Sequence, residues 1–429
     1  MAPANEARMP LLDHLREARK RVLRSAIAVL IAFGGGWYFY NPIITTLAKP
    51  VCDLKAAQEA GSASCGALYI SGVLGPLDLQ IKVALLAGII VSAPFWLYQL
   101  WAFIAPALHR KEKRTSVLFV AAATPFFAMG AALGYFILPV AIKALFGMAP
   151  TKEKNGTGYI PSPLGRKFGV DKVSGFKHTN FGGKNYTGNK KVLVLCTEER
   201  YFKVTNGKQF STGNNVQETM VPLMHLVNAG FNFDVVTPTG KSAILEEWSV
   251  PIKDEAVLKF RKENQTKFNK PLSLKELVNT NKLNDESDYI ALFLPGGHGS
   301  MVGLPEDENV GKLIRWIKTS NRYLVAVCHG PAAMIAKDIK NEPNPYMGYK
   351  MVAFPDKFDR QSPSLGYLPG QLPWFQCEAL AKEGVTVIND KITGATHIDR
   401  KLISGDSPKA CDELGKITVI ELFKELQVS

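Results

Sequence analysis

The chain has 429 residues, of which 46% are hydrophobic and 21% are charged, and its formal net charge is +13. A domain usually takes about 100–200 residues, so this length excludes a single small domain. Residues 1–149 contain 7 Lys and 7 Arg, whereas the rest contains 30 Lys and 7 Arg, and this shift in composition predicts two modules of separate origin. Despite the positive charge, we predict no nucleic acid as a sequence-specific partner.

Three uncharged, apolar stretches dominate the first module. They are Ser25–Ala48, Val83–Leu108 and Ser116–Ile142. Each is longer than the roughly 20 residues that a helix needs to cross the hydrocarbon core of a bilayer. A secretory signal, which has one apolar core of about 7–15 residues, does not explain three such stretches. The sequence therefore predicts an α-helical membrane module with three spans and the lipid bilayer as a partner.

Basic residues flank these stretches and predict their orientation. They precede the first span and separate the second from the third, at Arg8, Arg16, Arg19, Lys20, Arg21 and Arg24 and at Arg110, Lys111, Lys113 and Arg114. Short loops rich in Lys and Arg stay in the cytoplasm, so both flanks are predicted to be cytoplasmic, at the cell (inner) membrane. Three spans then place everything after about Met148 outside the cytoplasm.

The loop from Lys49 to about Lys82 is predicted to lie outside as well. It contains Cys52 and Cys65, which can pair as a disulfide in an oxidising compartment. Two free thiols are the alternative.

The residues around the first two spans resemble a known family. The matching residues are His14-Leu15-Arg16-Glu17-Ala18-Arg19-Lys20-Arg21, then Pro94, Gln99, Trp101, Phe103, Pro106, Leu108 and Glu112. They resemble TatC, the multispanning subunit of the twin-arginine translocase. The resemblance implies that Glu17 and Glu112 bind the paired arginines of signal peptides, and that other translocase subunits are partners, since carboxylates accept paired hydrogen bonds from guanidinium groups. The alternative is that both glutamates only offset the basic flanks.

The chain departs from the TatC pattern in its number of spans. TatC proteins have six, and no stretch after Met148 exceeds about 18 consecutive apolar residues, the length that would indicate a further span. Residues 1–149 are therefore predicted to be a truncated TatC-like module.

Residues 150–190 separate the two modules. They are rich in Gly, Lys, Asn, Ser and Pro and show neither helical nor strand periodicity. This composition is typical of a linker or an extended arm.

Short apolar runs alternate with amphipathic stretches from Lys191 onward. The predicted strands are Val192–Cys196, Phe233–Val236, Ile290–Leu294 and Leu324–Val327, and the predicted helices include Glu218–Asn228 and Asn309–Thr319. Alternation of this kind predicts an α/β domain over residues 191–429, with a parallel sheet covered by helices on both faces. Ligands of such sheets bind beyond the carboxyl ends of the strands.

Two of these strand ends carry candidate catalytic groups. The last strand runs into Cys328, and a side chain on a sharp strand-to-helix turn projects above the sheet. The helix predicted from Ala332 would lower the pKa of that thiol. Gly296 and Gly297 follow the neighbouring strand, and their N–H groups could hold a developing oxyanion. The other cysteines of this module, Cys196, Cys377 and Cys411, are interpreted as small buried hydrophobic residues.

These motifs carry a second resemblance, which covers about residues 158–427. The matching residues are Glu199-Arg200-Tyr201, Phe210-Ser211-Thr212-Gly213-Asn214, Gly296-Gly297-His298-Gly299, Cys328-His329-Gly330-Pro331-Ala332-Ala333, Ala353-Phe354-Pro355-Asp356 and Gly405-Asp406-Ser407-Pro408. They resemble the heat-shock glyoxalase III/deglycase family of the ThiJ/PfpI superfamily, whose fold is flavodoxin-like.

That resemblance implies a function for the second module and a set of catalytic residues. Family members are homodimers described as a cofactor-independent glyoxalase, a protein deglycase and a holding chaperone. By motif match the nucleophile is Cys328, its carboxyl partner is Glu218, the neighbouring histidine is His329, and Asp359 is a supporting acid. The implied substrates are methylglyoxal or glycated protein.

The chemistry of methylglyoxal suits these residue types. A thiolate can add to the aldehyde, turn amides can stabilise the oxygen, and a carboxyl group can move a proton between the two carbons before hydrolysis releases lactate. No cofactor is needed. Some family members bind a metal, but the aligned positions here are Val227, Asn232 and Asn264, which are poor zinc ligands, and His225 nearby is more simply structural. We therefore predict that no metal is bound.

Two functional hypotheses of different class follow. One is a cysteine-dependent glyoxalase or deglycase in the last two thirds of the chain, and the other is a partial receptor for twin-arginine signals in the first third. The interrupted TatC pattern favours a third interpretation of the join, an engineered or mis-assembled chimera, over a natural bifunctional protein.

Overall fold

The computed structural model describes residues 11–52, 75–104, 110–148, 150–153, 156–337 and 342–428. The chain forms two compact units, Met1–Phe146 and Gly147–Ser429. Cys52 and Cys65, the predicted disulfide partners, lie outside the residues whose side chains are described.

The first unit is helical. Its helices are Leu11–Tyr38, Tyr40–Cys52, Gly75–Val91, Ala93–Ile104 and Arg110–Met148. Two sharp bends interrupt them, because the axis turns by 76° between the first two and by 58° between the third and fourth.

Both bends have local causes. Pro42 and Pro94 each stand just after a break, and a proline lacks the N–H of the helical ladder and clashes with the carbonyl four residues earlier. At the second break the Ser92 hydroxyl also donates to the Gly88 carbonyl over 2.7 Å, a side-chain bond that bends helices.

The three predicted spans are not shown. In the described part of the chain no single helix is long and apolar enough to cross a bilayer. The bent pairs do reach the required length and composition, when Leu15–Tyr38 is taken with Tyr40–Thr46 and Leu77–Val91 with Ala93–Phe103. In place of the third predicted span, a shorter apolar segment covers Ala121–Ile137.

The second unit is built on a seven-stranded sheet with the strand order β12-β13-β9-β8-β3-β6-β7. All neighbours in it are parallel except β12 and β13. The thirteen strands of the described residues are β1 Thr151–Lys152, β2 Tyr159–Ile160, β3 Lys191–Leu195, β4 Tyr201–Lys203, β5 Gln209–Ser211, β6 Asn232–Thr237, β7 Leu272–Ser273, β8 Tyr289–Leu294, β9 Tyr323–Val327, β10 Lys350–Met351, β11 Thr386–Val387, β12 Thr396–Asp399 and β13 Leu402–Gly405.

Helices and turns connect these strands. The α-helices are Pro163–Gly169, Val216–Asn228, Glu255–Asn269, Leu274–Asn279, Glu308–Thr319, Asp356–Gln361, Gln376–Lys382 and Cys411–Glu425, and the 3-10 helices are Phe181–Gly183, Glu247–Ser249, His298–Met301, Gly330–Ile335 and Pro408–Ala410. The four predicted strands and two predicted helices match observed elements to within two residues at each end, and the predicted α/β fold of this module is confirmed.

Alternate side chains of β3 enter two separate cores. Val192 and Val194 pack into the core on one face of the sheet, together with Val419 of the last helix. Leu193 and Leu195 pack into the core on the other face. This alternation is expected of a strand buried on both faces, and it explains why β3 is a continuous apolar run.

Two smaller sheets and a structured arm were not predicted. One small sheet has the order β1-β2-β5-β4 and the other pairs β10 with β11. Residues 150–190, predicted as a linker or an extended arm, hold β1, β2 and a short helix, and the segment packs on the domain. The Lys177 N–H donates to Asp412 over 2.8 Å, and the ring of Tyr186 stacks on Phe231 with centroids 4.6 Å apart.

Candidate active site

Cys328 stands on a strained corner directly after β9. Its φ is 56°, in the left-handed region that residues other than glycine rarely adopt. Backbone contacts hold this conformation, because the Cys328 N–H donates to Gly405 and its carbonyl accepts from Phe354 N–H, both over 3.0 Å. The Gln376 amide donates to the same carbonyl over 2.7 Å. The thiol is therefore fixed above the end of the sheet, as the sequence predicts.

The predicted activation of this thiol by a helix is wrong. The segment after Cys328 is the six-residue 3-10 helix Gly330–Ile335, which has no long array of aligned peptide dipoles. Cys328 is only 5% exposed, and burial raises the pKa of its thiol well above the ordinary value, as do the nearby charges of Glu218 and Asp359. Burial thus favours the protonated thiol over the thiolate, and a neighbouring base would assist its ionisation.

Glu218 lies in the first turn of the helix Val216–Asn228. The side chain of Asn215 caps that helix by accepting the Glu218 N–H over 3.2 Å. The carboxyl group is fully buried and forms no ion pair with a described residue, and the Cys328 thiol is its hydrogen-bonding neighbour. Burial raises its pKa to about 8. Such a carboxyl can exchange a proton near neutral pH.

A buried relay of three side chains begins at the thiol. Cys328 Sγ is 3.3 Å from His329 Nδ1, and His329 Nε2 is 2.8 Å from one oxygen of Asp359. The other Asp359 oxygen is 2.9 Å from His298 Nε2. A carboxylate that accepts Nε2–H leaves Nδ1 of His329 as an acceptor for the thiol proton.

The charge of Asp359 matches this arrangement. Burial alone would raise the pKa of the carboxyl, but the two histidines lower it below its ordinary value. Burial lowers the pKa of His298, and the neighbouring His329 lowers it further. Asp359 is therefore ionised at neutral pH and accepts from both imidazoles.

The turn after β8 brings a second strand end close to these groups. A Cβ at Gly296 would lie 2.1 Å from Glu218 Oε2 and 2.7 Å from the Cβ of Cys328, so only glycine fits there. Gly297 has a φ of 104°. In the described part of the chain the N–H groups of Gly296 and Gly297 donate no hydrogen bond. Both remain available to an oxyanion.

These groups surround a cavity of about 340 Å³. Glu218, Cys328, His329 and Gly297 contribute polar atoms to its wall. Its other lining residues are Asp171, Asn215, Glu246, His298, Phe354, Phe358, Gln361, Ser362, Leu365, Tyr367, Ile392, Ser407, Pro408 and Lys409. The volume suits a small molecule or one modified side chain.

Three lining residues were missed by the sequence analysis as candidates. His298 belongs to the Gly-Gly-His-Gly motif, and its place at a strand end could have indicated a role. Glu246 and Tyr367 carry no local signal, because neither follows a buried strand of the main sheet. Only the folded chain brings them to the cavity.

The aligned metal positions carry no zinc ligand set. Val227 is 40% exposed, Asn264 donates to the Phe260 carbonyl over 2.9 Å, and Asn232 accepts from the Lys267 ammonium over 2.8 Å. An ammonium in contact with Asn232 excludes a cation there. His225 binds Asp412 over 2.9 Å, as a structural residue would.

One other group has the composition of a metal site. His298, His329 and Asp359 have ligand atoms within 4.8 Å of one another. The Nε2 and carboxylate atoms that would bind an ion are already hydrogen bonded to one another in the relay.

Of the two proposed signal-peptide residues of the first unit, the structure describes the side chain of Glu17. Glu17 forms an ion pair with Arg21 over 2.6 Å. Arg21 also donates to Gln99 over 3.5 Å. Glu112 lies outside the residues whose side chains are described.

Comparison with known proteins separates the same two regions. The family model of the Sec-independent protein translocase protein TatC matches residues 13–165, and that of the DJ-1/PfpI family matches residues 211–344. A protein/nucleic acid deglycase HchA of Escherichia coli is 45% identical over 240 residues, which are 56% of this chain and 83% of the relative.

Solved structures resemble each region separately. A glyoxalase III from Candida albicans is 21% identical, and the match covers 54% of this chain and 97% of that chain with a TM-score of 0.42. A twin-arginine translocase receptor TatC is 38% identical, with a TM-score of 0.27. The match covers 30% of this chain and 54% of that receptor, so this chain spans about half of its length.

Both resemblances read from the sequence are confirmed by the family models and by the deglycase relative. The identity to the deglycase extends over most of that protein, whereas the TatC match is partial. The chain therefore belongs to the HchA deglycase family, within the DJ-1/PfpI proteins, and carries a TatC-type region at its N-terminal end.

Proposed function

We propose that residues 158–427 form a cysteine-dependent glyoxalase III and deglycase that needs no cofactor. The observation that carries the proposal is the fully buried Glu218 carboxyl, which forms no ion pair with a described residue and faces the Cys328 thiol in one cavity. A buried, unpaired carboxyl lowers stability and is typical of a functional site. The name of the Escherichia coli relative supports the deglycase part.

The first step is addition of the thiol to the aldehyde of methylglyoxal. His329 Nδ1 takes the proton from Cys328 Sγ, and the thiolate forms a bond to the aldehyde carbon. The aldehyde oxygen receives the proton from His329 while the N–H groups of Gly296 and Gly297 stabilise it. The product is a neutral hemithioacetal, and His329 is neutral again.

Isomerisation and hydrolysis follow. Glu218, as the carboxylate, takes the proton from the former aldehyde carbon and returns it to the adjacent carbon, which gives a lactoyl thioester on Cys328. Water then cleaves the thioester, so that lactate leaves and the thiol is restored. The sum is methylglyoxal plus water to lactic acid, without any electron acceptor.

Deglycation needs the same first step. The early adduct of methylglyoxal with an amine or a thiol is a hemiaminal or a hemithioacetal at the former aldehyde carbon. When such a glycated side chain is in the cavity, its C–N or C–S bond breaks and the amine or thiol takes the hydroxyl proton and leaves unmodified. Cys328 then adds to the aldehyde that is regenerated. A homodimer and a holding-chaperone role remain proposals that rest on the family resemblance.

A second candidate function is a twin-arginine signal receptor at the membrane, and the TatC family match supports it. The ion pair of Glu17 with Arg21 argues against it, because that carboxylate would have to release its partner before binding a signal peptide. We therefore favour the enzyme, joined to a partial TatC region in an engineered or mis-assembled chimera.

The roles of Cys328 and Glu218 can be tested together. Cys328→Ala should abolish lactate formation from methylglyoxal. Glu218→Gln keeps the shape but cannot carry the proton, so kcat should fall by about 10²–10⁴-fold, the usual contribution of general acid–base catalysis. The two losses in rate should be strongly non-additive, so the double variant should be no slower than Cys328→Ala alone. Cys196→Ala and Cys377→Ala are the matched controls, and a folded Cys328→Ala protein with the parent rate would refute the enzyme.

Asp359 is expected to act by positioning His329. Asp359→Asn should lower kcat by at least about 10²-fold, since the wrong tautomer of His329 can no longer accept the thiol proton. Because the pKa of Asp359 is lowered on folding, its contribution to stability is present above the unfolded value of about 3.9 and is lost as the pH falls below it.

Thermal unfolding between pH 7 and pH 3 measures the contribution of the ionised Asp359 to stability. As the pH is lowered, the melting temperature of Asp359→Asn should fall less than that of the parent. The exposed Asp390→Asn is the control and should follow the parent curve. Identical slopes for Asp359→Asn and the parent would contradict the ionised state assigned to Asp359.

Catalysis is expected to need no metal. Thiol addition and carboxyl-mediated proton transfer supply both chemical steps, so incubation with a chelator followed by gel filtration should leave the kcat for methylglyoxal unchanged. Activity that is lost with chelator and recovered with added zinc would show that a ligand set has been missed.

The orientation of the enzyme module also stays a prediction. In a chain with Cys52, Cys65 and the partly exposed Cys377 replaced by Ser, a Lys152→Cys reporter should react with a membrane-impermeant thiol reagent in intact cells, because the basic flanks place it outside. An Arg24→Cys reporter, which is predicted to be cytoplasmic, should react only after lysis. A Lys152→Cys protein that stays unlabelled until lysis would reverse the assignment.

A further inference from the structure

The proposed isomerisation moves oxygen protons as well as the carbon proton. When Glu218 takes the proton from the thiol-bearing carbon, the ketone oxygen must gain a proton to become the enediol. When the proton returns to the adjacent carbon, the other hydroxyl must lose one. A second acid–base group is therefore needed at the oxygens, and turn amides cannot serve because they donate without releasing their proton.

Most titratable groups around the cavity are unsuited to this task. The Nε2 atoms of His298 and His329 are bound to Asp359, and Nδ1 of His329 faces the thiol. Burial raises the pKa of Tyr367 well above its ordinary value. Asp171 and Lys409 are exposed.

Glu246 is the remaining buried carboxyl of the cavity, and its position is well defined. It is 2% exposed, and the Thr212 hydroxyl donates to its Oε1 over 2.7 Å. Its N–H donates to the Asn214 carbonyl over 3.0 Å, next to Asn215, which caps the helix of Glu218. The two carboxyl groups are thus placed by adjacent residues of one turn and line the same cavity.

A second cavity lies on the other side of Glu246. It also measures about 340 Å³ and is lined by Glu153, Ile160, Arg166, Arg200, Ser211, Thr212, Ile244, Leu245, Glu246, Glu247 and Trp248. Among the described residues, Glu246 alone lines both cavities. A carboxyl in this position can exchange its proton with the second cavity while the first is filled by substrate.

We propose that Glu246 is a second catalytic carboxyl, which donates a proton to the ketone oxygen of the hemithioacetal and then takes one from the other hydroxyl of the enediol. The inference rests on the proposed glyoxalase function. Glu218 handles the carbon proton and Glu246 the oxygen protons, and each carboxyl returns to its starting state after one turnover. Substrates with a second carbonyl next to the aldehyde are selected, because only they place an oxygen at Glu246.

The protonation state of Glu246 agrees with this role. Burial raises its pKa to about 8 and the charge of Glu218 raises it further, whereas His298 and the Thr212 hydroxyl lower it. The carboxyl can therefore donate a proton near neutral pH.

The test is Glu246→Gln in the full chain, with the exposed Glu263→Gln, which lines neither cavity, as the matched control. We expect kcat to fall by at least about 10²-fold in Glu246→Gln and to stay within about twofold in Glu263→Gln. Thiol addition does not need Glu246, so the methylglyoxal hemithioacetal on Cys328 should accumulate and be seen by native mass spectrometry, as an added mass that is missing in Cys328→Ala.

A structural role would give different results. A glutamine still accepts the Thr212 hydrogen bond, so the melting temperature should be unchanged, and Glu246→Asp, which keeps a titratable group, should recover part of the rate. Glu246→Gln with the parent kcat, or Glu246→Asp no faster than Glu246→Gln, would overturn the inference while leaving the glyoxalase function intact. A parent protein that does not consume methylglyoxal would instead remove the proposed function itself.

Discussion

The carboxylate of Asp359 holds two imidazoles at once, and the acid–base properties of the whole cavity depend on that contact. One oxygen binds His329 and the other binds His298, both at hydrogen-bond distance and both away from water. The first contact leaves a lone pair of His329 facing the thiol. The second joins the turn after β8 to the helix Asp356–Gln361, so the two strand ends that carry Cys328 and the glycine turn are held in one arrangement.

Three buried carboxyl groups in this region show how hydrogen-bonding and charged partners can offset the effect of burial on a pKa. Asp359 has two histidine partners, and its pKa lies below the ordinary value although it is fully buried. Burial raises the pKa of Glu218 and of Glu246 to about 8, because their partners offset it only in part. These partners are the Cys328 thiol for Glu218, and His298 and the Thr212 hydroxyl for Glu246. Residue type therefore does not predict the charge of these groups, whereas the number and charge of their partners does.

The sequence predicts the parts of this protein that have a local signature. Buried strands such as β3 and β8 are short apolar runs ended by turns, and Cys328 follows one of them. The structure brings Cys328, Glu218, His329 and Asp359 into one buried cluster. The bent helix pairs were missed because hydropathy reports length and composition, and a bend depends on the backbone around Pro42 and Pro94. Glu246 and the rise in the pKa of the thiol were missed because long-range packing creates them.

The burial of Cys328 also bears on the redox chemistry of the site. Peroxide and other oxidants react with thiolates rather than with thiols, and they do so faster when the sulfur is exposed. A thiol that is 5% exposed and whose pKa is raised by burial is poorly suited to both conditions. In the proposed mechanism, the sulfur becomes a nucleophile only when an electrophile small enough for the cavity has entered and His329 has taken the proton. Under that mechanism, resistance to sulfenic acid formation and selectivity for small carbonyl compounds would arise from the same burial.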